Sequence, residues 1–162
     1  MSKVLCPGSF DPMTLGHISI IGRCASSFDE VVVLVGYNDK KTGLLTVEQR
    51  VEFAKDALKD FSNVRIDSYS GLTVDYAYEY NCDLIVKGVR NSVDLEYENE
   101  MAIANRDISM SKFGKSIETL YFPSEPLFAY TSSSTVRQLL SLNLPIDKYV
   151  HNPELLYKIL GK

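Results

Sequence analysis

Histidine is scarce in this chain: only His17 and His151 occur, and the three cysteines, Cys6, Cys24 and Cys82, show no C-x-x-C spacing. An ordinary structural zinc site is therefore excluded, and the cysteines read as reduced, buried thiols. No apolar run of about 18 residues and no amino-terminal signal pattern is present, so neither a membrane span nor secretion is expected, and the protein is expected in the cytoplasm. Positive charge is also short. Seventeen Lys and Arg face 21 Asp and Glu, a formal net charge of -4, which excludes the broad basic face that general nucleic-acid binding demands. Any anionic ligand must be gripped locally.

Familiar nucleotide signatures are missing too. The dinucleotide fingerprint G-x-G-x-x-G does not follow the first strand-like run, which removes the main sequence argument for a dehydrogenase. "FGKS" at 113 to 116 ends like a phosphate loop, but Ser109 stands where the first glycine is needed, and the segment lies between a helix and a strand, in the wrong order. Paired aspartates for a two-metal centre are not evident, and no Ser-His-Asp arrangement can be argued.

What is present alternates regularly. Short apolar runs at 3 to 6, 31 to 36, 64 to 68, 84 to 87 and 117 to 122 read as strands. Between them, Ile18, Ile21, Ala25 and Phe28 fall on one helical face, as do Val47, Val51, Ala54 and Leu58, and Thr46 with Gln49 has capping-box spacing. Further helices are expected near Thr73, from Asp94 to Ile108, in "SSSTVRQLL" and after Pro153. The expectation is a single α/β domain over residues 1–162, a Rossmann-like, doubly wound, five-stranded parallel sheet. Ligands of such sheets bind beyond the carboxyl ends of the strands, where strand order reverses.

Hydroxyls, cations and glycines gather after those strands. In "CPGSFDPMTLGH", Gly8 permits a tight turn, Ser9 offers a hydroxyl and an amide, and Gly16 lets a ligand approach where His17 enters a helix. An imidazole there can donate to a phosphate oxygen; ordinary capping is the alternative. Ser132, Ser133 and Ser134 open a helix with Arg137 one turn in, which suits a polyphosphate or a redundant cap. Lys87 and Arg90 frame Gly88 and read as phosphate ligands or as solvated charge, while Asp11 reads as a holder of its own loop. Together these loops describe a nucleoside triphosphate site that works by positioning and charge stabilisation.

"TLGH" at 14 to 17 resembles the T/H-x-G-H motif of the nucleotidyltransferase superfamily, and "TSSSTVR" at 131 to 137 its serine-rich signature. "PGSFDPMTLGH", "KGVRNSVDLEYENEMA" and "YTSSSTVR" together resemble the bacterial phosphopantetheine adenylyltransferase family across almost the whole chain. The resemblance implies transfer of AMP from ATP to 4′-phosphopantetheine with Mg2+ assisting, giving dephospho-coenzyme A and pyrophosphate by direct in-line attack. It further implies a homohexamer and feedback inhibition by coenzyme A, with no nucleic-acid or membrane partner.

Carried over by motif, His17 holds the α-phosphate, with Ser9 and Phe10 contacting phosphates nearby. The lysine after the second strand that contacts both reacting groups is Lys40 or Lys41, with Lys41 favoured. Gly88, Val89, Arg90, Glu98 and the stretch Tyr130, Thr131, Ser132, Ser133 and Ser134 meet ATP; Thr73 and Lys87 meet the acceptor. His17, Lys41 and Arg90 form the expected catalytic set. Lys87 replaces a family arginine, and "PLFAY" replaces the more usual "WSF". Two alternatives carry the same motifs: a related adenylyl- or cytidylyltransferase with a different acceptor, chosen by residues 71 to 98, and a nucleotide-binding regulator without catalysis.

Overall fold

The computed structural model describes all 162 residues, Met1–Lys162. Strands β1 (Lys3–Gly8), β2 (Glu30–Gly36), β3 (Val64–Tyr69), β4 (Leu84–Val89) and β5 (Glu118–Pro123) form one sheet of order β3-β2-β1-β4-β5 in which every pairing is parallel. Helices α1 (Leu15–Ser27), α2 (Val47–Leu58), α3 (Thr73–Glu79), α4 (Ser92–Phe113), α5 (Ser133–Ser141) and α6 (Pro153–Ile159) connect or follow the strands. None is long and apolar enough to cross a membrane.

Strand residues alternate between two cores, as a pleat with both faces covered requires. Val4, Cys6, Val31, Val33 and Val35 face one apolar cluster together with residues of α1, α2, α5 and α6. Leu5, Val32, Leu34 and Ile85 face the other, which α3 closes with Val74, Tyr76 and Ala77. Helix starts follow the expected chemistry. Thr46 accepts from the Gln49 amide at 3.2 Å while Gln49 Oε1 accepts from the Thr46 amide at 2.9 Å, the predicted capping box.

Helix α4 differs most from expectation. It starts two residues earlier than the expected Asp94, capped by the Asn91 side chain on the Asp94 amide, and runs past Ile108 to a left-handed Gly114. Only Ser109 on it is buried, and Val93, Tyr97, Met101, Ile103 and Met110 stay exposed.

The chain reverses between β1 and β4, and the two strands part there. Six residues of β1 pair with β2, but against β4 the ladder holds only Val4 with Leu84 and Leu5 with Ile85. Pro7 has no N–H with which to prolong it. The parted ends leave a crevice at the carboxyl edge of the sheet.

Candidate active site

The loop leaving β1 turns by a device the sequence did not reveal. Gly8 remains in the strand, and the turn is made by Phe10, whose φ of 46° is left-handed, followed by a cis Asp11–Pro12 bond. A left-handed φ costs a bulky residue such as Phe10 about 1–3 kcal/mol and persists only where its surroundings fix it. Here the Phe10 ring is buried edge-on to His17 at 5.1 Å, and a Cβ on Gly8 would lie 2.9 Å from that ring. Gly8 is therefore required for space.

Asp11 holds the loop from beneath, as expected. Its carboxylate accepts the Leu44 and Leu45 amides at 2.8 Å each and pairs with buried Arg50 at 3.5 Å. Arg50 in turn donates to the carbonyls of Leu45 and Ser9.

His17 has two jobs, one per ring nitrogen. Thr14 caps α1, and its fully buried amide donates to His17 Nδ1 at 3.0 Å. An Nδ1 that accepts leaves the proton on Nε2, so the neutral ring is a donor toward the crevice. Burial, reinforced by Lys87 and then Arg90, pushes the imidazole pKa down to about 4. Among the first amides of α1, Leu15 donates to the Tyr149 carbonyl and His17 to Thr14 Oγ1, which leaves the Gly16 amide without a protein acceptor.

The serine run faces it. Ser132 caps α5 through the Thr135 amide, while the Ser133 and Ser134 amides have no protein acceptor. Ser133 Oγ donates to the Pro12 carbonyl at 2.8 Å, and Arg137 donates to the Asp11 carbonyl at 2.8 Å and to Ser134 Oγ at 3.1 Å. Free amides at two helix starts, a neutral donor imidazole and nearby guanidinium groups make an anion site.

Two cavities meet over the parted strands. The larger, about 360 Å³, is lined by Ser9, Phe10, Gly16, His17, the serine run, Arg90 and Arg137. The smaller, about 210 Å³, lies under α4 and is lined by Gly36, Tyr69, Thr73, Tyr97, Met101 and Asn105, among others. Pro7, Gly8, Lys87 and Glu98 line both. Lys87 Nζ lies 3.3 Å from Glu98 and 3.4 Å from the Pro7 carbonyl, so it bridges the crevice. Arg90 is held by Asp94 at 2.8 Å. Both cations are thus paired rather than solvated, and each can exchange its carboxylate for a phosphate.

Of the residues expected to form the site, Ser9, Phe10, His17, Lys87, Gly88, Arg90, Glu98, Thr131, Ser132, Ser133 and Ser134 line the larger cavity and Thr73 the smaller. Val89 lines neither, and Tyr130 is 90% exposed. Lys40 and Lys41 are exposed in the turn after β2 and line neither cavity. Sequence reasoning missed Asp94 and Arg50. The Arg90–Asp94 spacing of four residues was a legible signal, whereas nothing distinguished Arg50 from a surface residue of α2.

Comparison with known proteins adds the family. A family model described as Cytidylyltransferase-like matches residues 5–139. The phosphopantetheine adenylyltransferase of Symbiobacterium thermophilum is 45% identical over 150 residues, covering 93% of this chain and 90% of that protein. That of Corynebacterium diphtheriae is 42% identical over 140 residues, covering 86% and 84%. Among solved structures, a putative nicotinate-nucleotide adenylyltransferase from Vibrio parahaemolyticus superposes with a TM-score of 0.67 at 19% identity, covering 99% of this chain and 93% of that one, which speaks to the fold alone.

Proposed function

This chain belongs to the phosphopantetheine adenylyltransferase family, within the cytidylyltransferase-like group, and from that premise we propose that it transfers AMP from ATP to 4′-phosphopantetheine. The products are dephospho-coenzyme A and pyrophosphate, in the penultimate step of coenzyme A biosynthesis. One observation carries the reading: two cavities share a wall at Gly8 and Lys87, so a donor in one and an acceptor in the other meet over the parted strands.

The larger cavity takes ATP. His17 Nε2–H donates to the α-phosphate as charge accumulates there, and the Gly16, Ser133 and Ser134 amides with Arg90 and Arg137 hold the remaining phosphates. Ser9 and Phe10 line the α-phosphate's approach, Thr131 and Ser132 shape the opposite wall, and Gly88 runs beside the nucleotide, while Val89, next in β4, lines neither cavity. The smaller cavity takes the pantetheine arm against Thr73, and the acceptor phosphate displaces Glu98 from Lys87. Glu98 is then free for the nucleotide. Lys41, tethered by its amide to the Asn38 carbonyl at 2.9 Å, swings in from the exposed turn to contact both reacting groups, and Tyr130 closes over ATP. The acceptor oxygen attacks phosphorus directly, with no enzyme intermediate: Cys6, the one thiol lining the larger cavity, has its pKa raised by its hydrogen bond to Cys24 and is not an activated nucleophile toward phosphorus.

No group of three or more His, Cys, Asp or Glu stands together, and Asp94 and Glu98 are each engaged by a cation. Mg2+ fits as the magnesium–ATP complex, held by phosphate oxygens and water, where it would neutralise phosphate charge. The exposed apolar residues of α4 supply area for a homohexamer. Coenzyme A, the acceptor with the nucleotide attached, suits both cavities as a feedback inhibitor, and the enzyme works as one domain in the cytoplasm. Incubation with Mg-ATP and 4′-phosphopantetheine should yield dephospho-coenzyme A, and labelled pyrophosphate should enter ATP only when dephospho-coenzyme A is supplied. Exchange with enzyme and ATP alone would reveal a covalent adenylyl-enzyme, and absence of dephospho-coenzyme A would reject the function.

A further inference from the structure

Two thiols that the transfer reaction does not use stand behind the nucleotide cavity. Cys6 on β1 is 4% exposed and forms part of the wall of the larger cavity; Cys24 on α1 is fully buried behind it. Their sulfurs are 3.9 Å apart, with Cys6 donating to Cys24. We propose that Cys6 and Cys24 are a redox-active pair, open to a hydroperoxide through the empty nucleotide cavity, whose disulfide disables adenylyl transfer. The inhibitory consequence rests on the nucleotide reading given above; the disulfide itself does not.

Position makes this pair different from the third thiol. Cys82 packs in the core on the opposite face of the sheet and lines neither cavity, so it serves as an internal control. The hydrogen bond that Cys6 donates raises its own thiol pKa and lowers that of Cys24, so Cys6 reacts slowly as a thiol while thiolate character falls on Cys24, the sulfur that closes the bond. A hydroperoxide entering the cavity meets Cys6. As the Cys6 sulfur attacks the distal peroxide oxygen, the O–O bond breaks, and the Cys6 proton passes to the leaving alkoxide or hydroxide. Cys6 is then a sulfenic acid. Cys24 attacks that sulfur, the S–O bond breaks, and water departs with the Cys24 proton. Two thiols and one hydroperoxide give one disulfide, one alcohol or water, and one further water.

Closure displaces the elements that hold the site. The sulfurs must approach from 3.9 Å to about 2.05 Å, which draws α1 toward β1. Cys24 lies two helical turns after His17, and Cys6 lies two residues before Gly8, so the bond shifts the imidazole against the phosphate loop. A misplacement of about 1 Å typically costs on the order of a hundredfold in rate.

The test uses the full-length reduced protein treated with hydrogen peroxide, followed by intact-mass measurement, non-reducing peptide mapping and assay. The expected result is loss of two hydrogens, a Cys6–Cys24 linked peptide with Cys82 still a thiol, and transfer lowered by about a hundredfold and restored by dithiothreitol. ATP at ten times its dissociation constant should slow oxidation by about tenfold. Cys24→Ala should yield no linked peptide. Added oxygen without loss of two hydrogens would overturn the proposal, and so would a disulfide that leaves transfer intact. Unprotected oxidation while calorimetry shows ATP bound would overturn the cavity as the route. Unprotected oxidation with no ATP binding would instead remove the nucleotide reading and leave the redox-active pair standing.

Discussion

Replacing His17 separates its two roles, because each ring nitrogen has a different one. In His17→Ala the fully buried Thr14 amide loses the acceptor that Nδ1 provides at 3.0 Å, at a cost of about 1 kcal/mol for a lost cap. For a chain of this size that lowers the melting temperature by roughly 2–4 °C. His17→Asn keeps an oxygen where Nδ1 stands and has no atom where Nε2 stands, so its melting temperature should stay close to that of the parent. Both variants lose the Nε2 donor that the proposed reading gives to the α-phosphate, and both should lose about 10²–10³-fold in kcat, as removal of one oxyanion donor does. Instability cannot account for that loss. A native state of about 5 kcal/mol that gives up about 1 kcal/mol remains more than about 99% folded. Steady-state kinetics, thermal melts and ATP titration by calorimetry read the three quantities separately. An Asn variant with parental kcat would refute the role of Nε2, and one as unstable as the Ala variant would refute the role of Nδ1.

Other perturbations test the frame around the imidazole. Asp11→Ala strips the acceptor from the Leu44 and Leu45 amides and leaves Arg50 buried without its partner, so chemical denaturation should report a loss of about 3–5 kcal/mol; a loss below about 1 kcal/mol would contradict the loop's support. Gly88→Ala sets a Cβ 2.9 Å from Ile20 Cγ1 and pushes α1 off β4, which should destabilise by about 1–3 kcal/mol and lower kcat/KM; unchanged melting would contradict the tight approach. With two histidines in the chain, NMR titration isolates His17 directly: it should remain neutral, with the proton on Nε2, until pH falls to about 4. The folded pKa lies below the unfolded one, so the unfolded chain takes up that proton first and the stability His17 contributes is lost as pH falls from about 6.5 toward about 4. Asp56, whose carboxyl the His151 and Asn152 hydrogen bonds hold down to about 2, contributes stability that is lost below about 3.8; Asp56→Asn should flatten that lower arm of a stability–pH curve.

The fold was legible because its signals are local and repeated. β-Branched runs marked the strands within a residue or two, and Thr46 with Gln49 marked a helix start that the hydrogen bonds reproduce. The cavity was legible for a related reason: in a parallel sheet each strand delivers its following loop to one edge, so the residues after β1, β4 and β5 had to meet. Three features were hidden. The turn at Phe10 depends on a ring packing against Gly8, which no residue type announces. The ion pairs of Lys87 with Glu98 and of Arg50 with Asp11 join residues distant in sequence, and complementary charge alone does not specify such partners. The two roles of His17 follow from a capping bond, and in the sequence capping and phosphate binding stood as alternatives; the geometry allows both.

The most direct measurement is pyrophosphate release from Mg-ATP by the purified protein with 4′-phosphopantetheine, with nicotinamide mononucleotide, and with no acceptor. Release with 4′-phosphopantetheine alone is the predicted result, since the proposed reading seats the pantetheine arm in the smaller cavity beneath α4. Release only with nicotinamide mononucleotide would contradict the acceptor assignment, and release with neither would contradict adenylyl transfer itself.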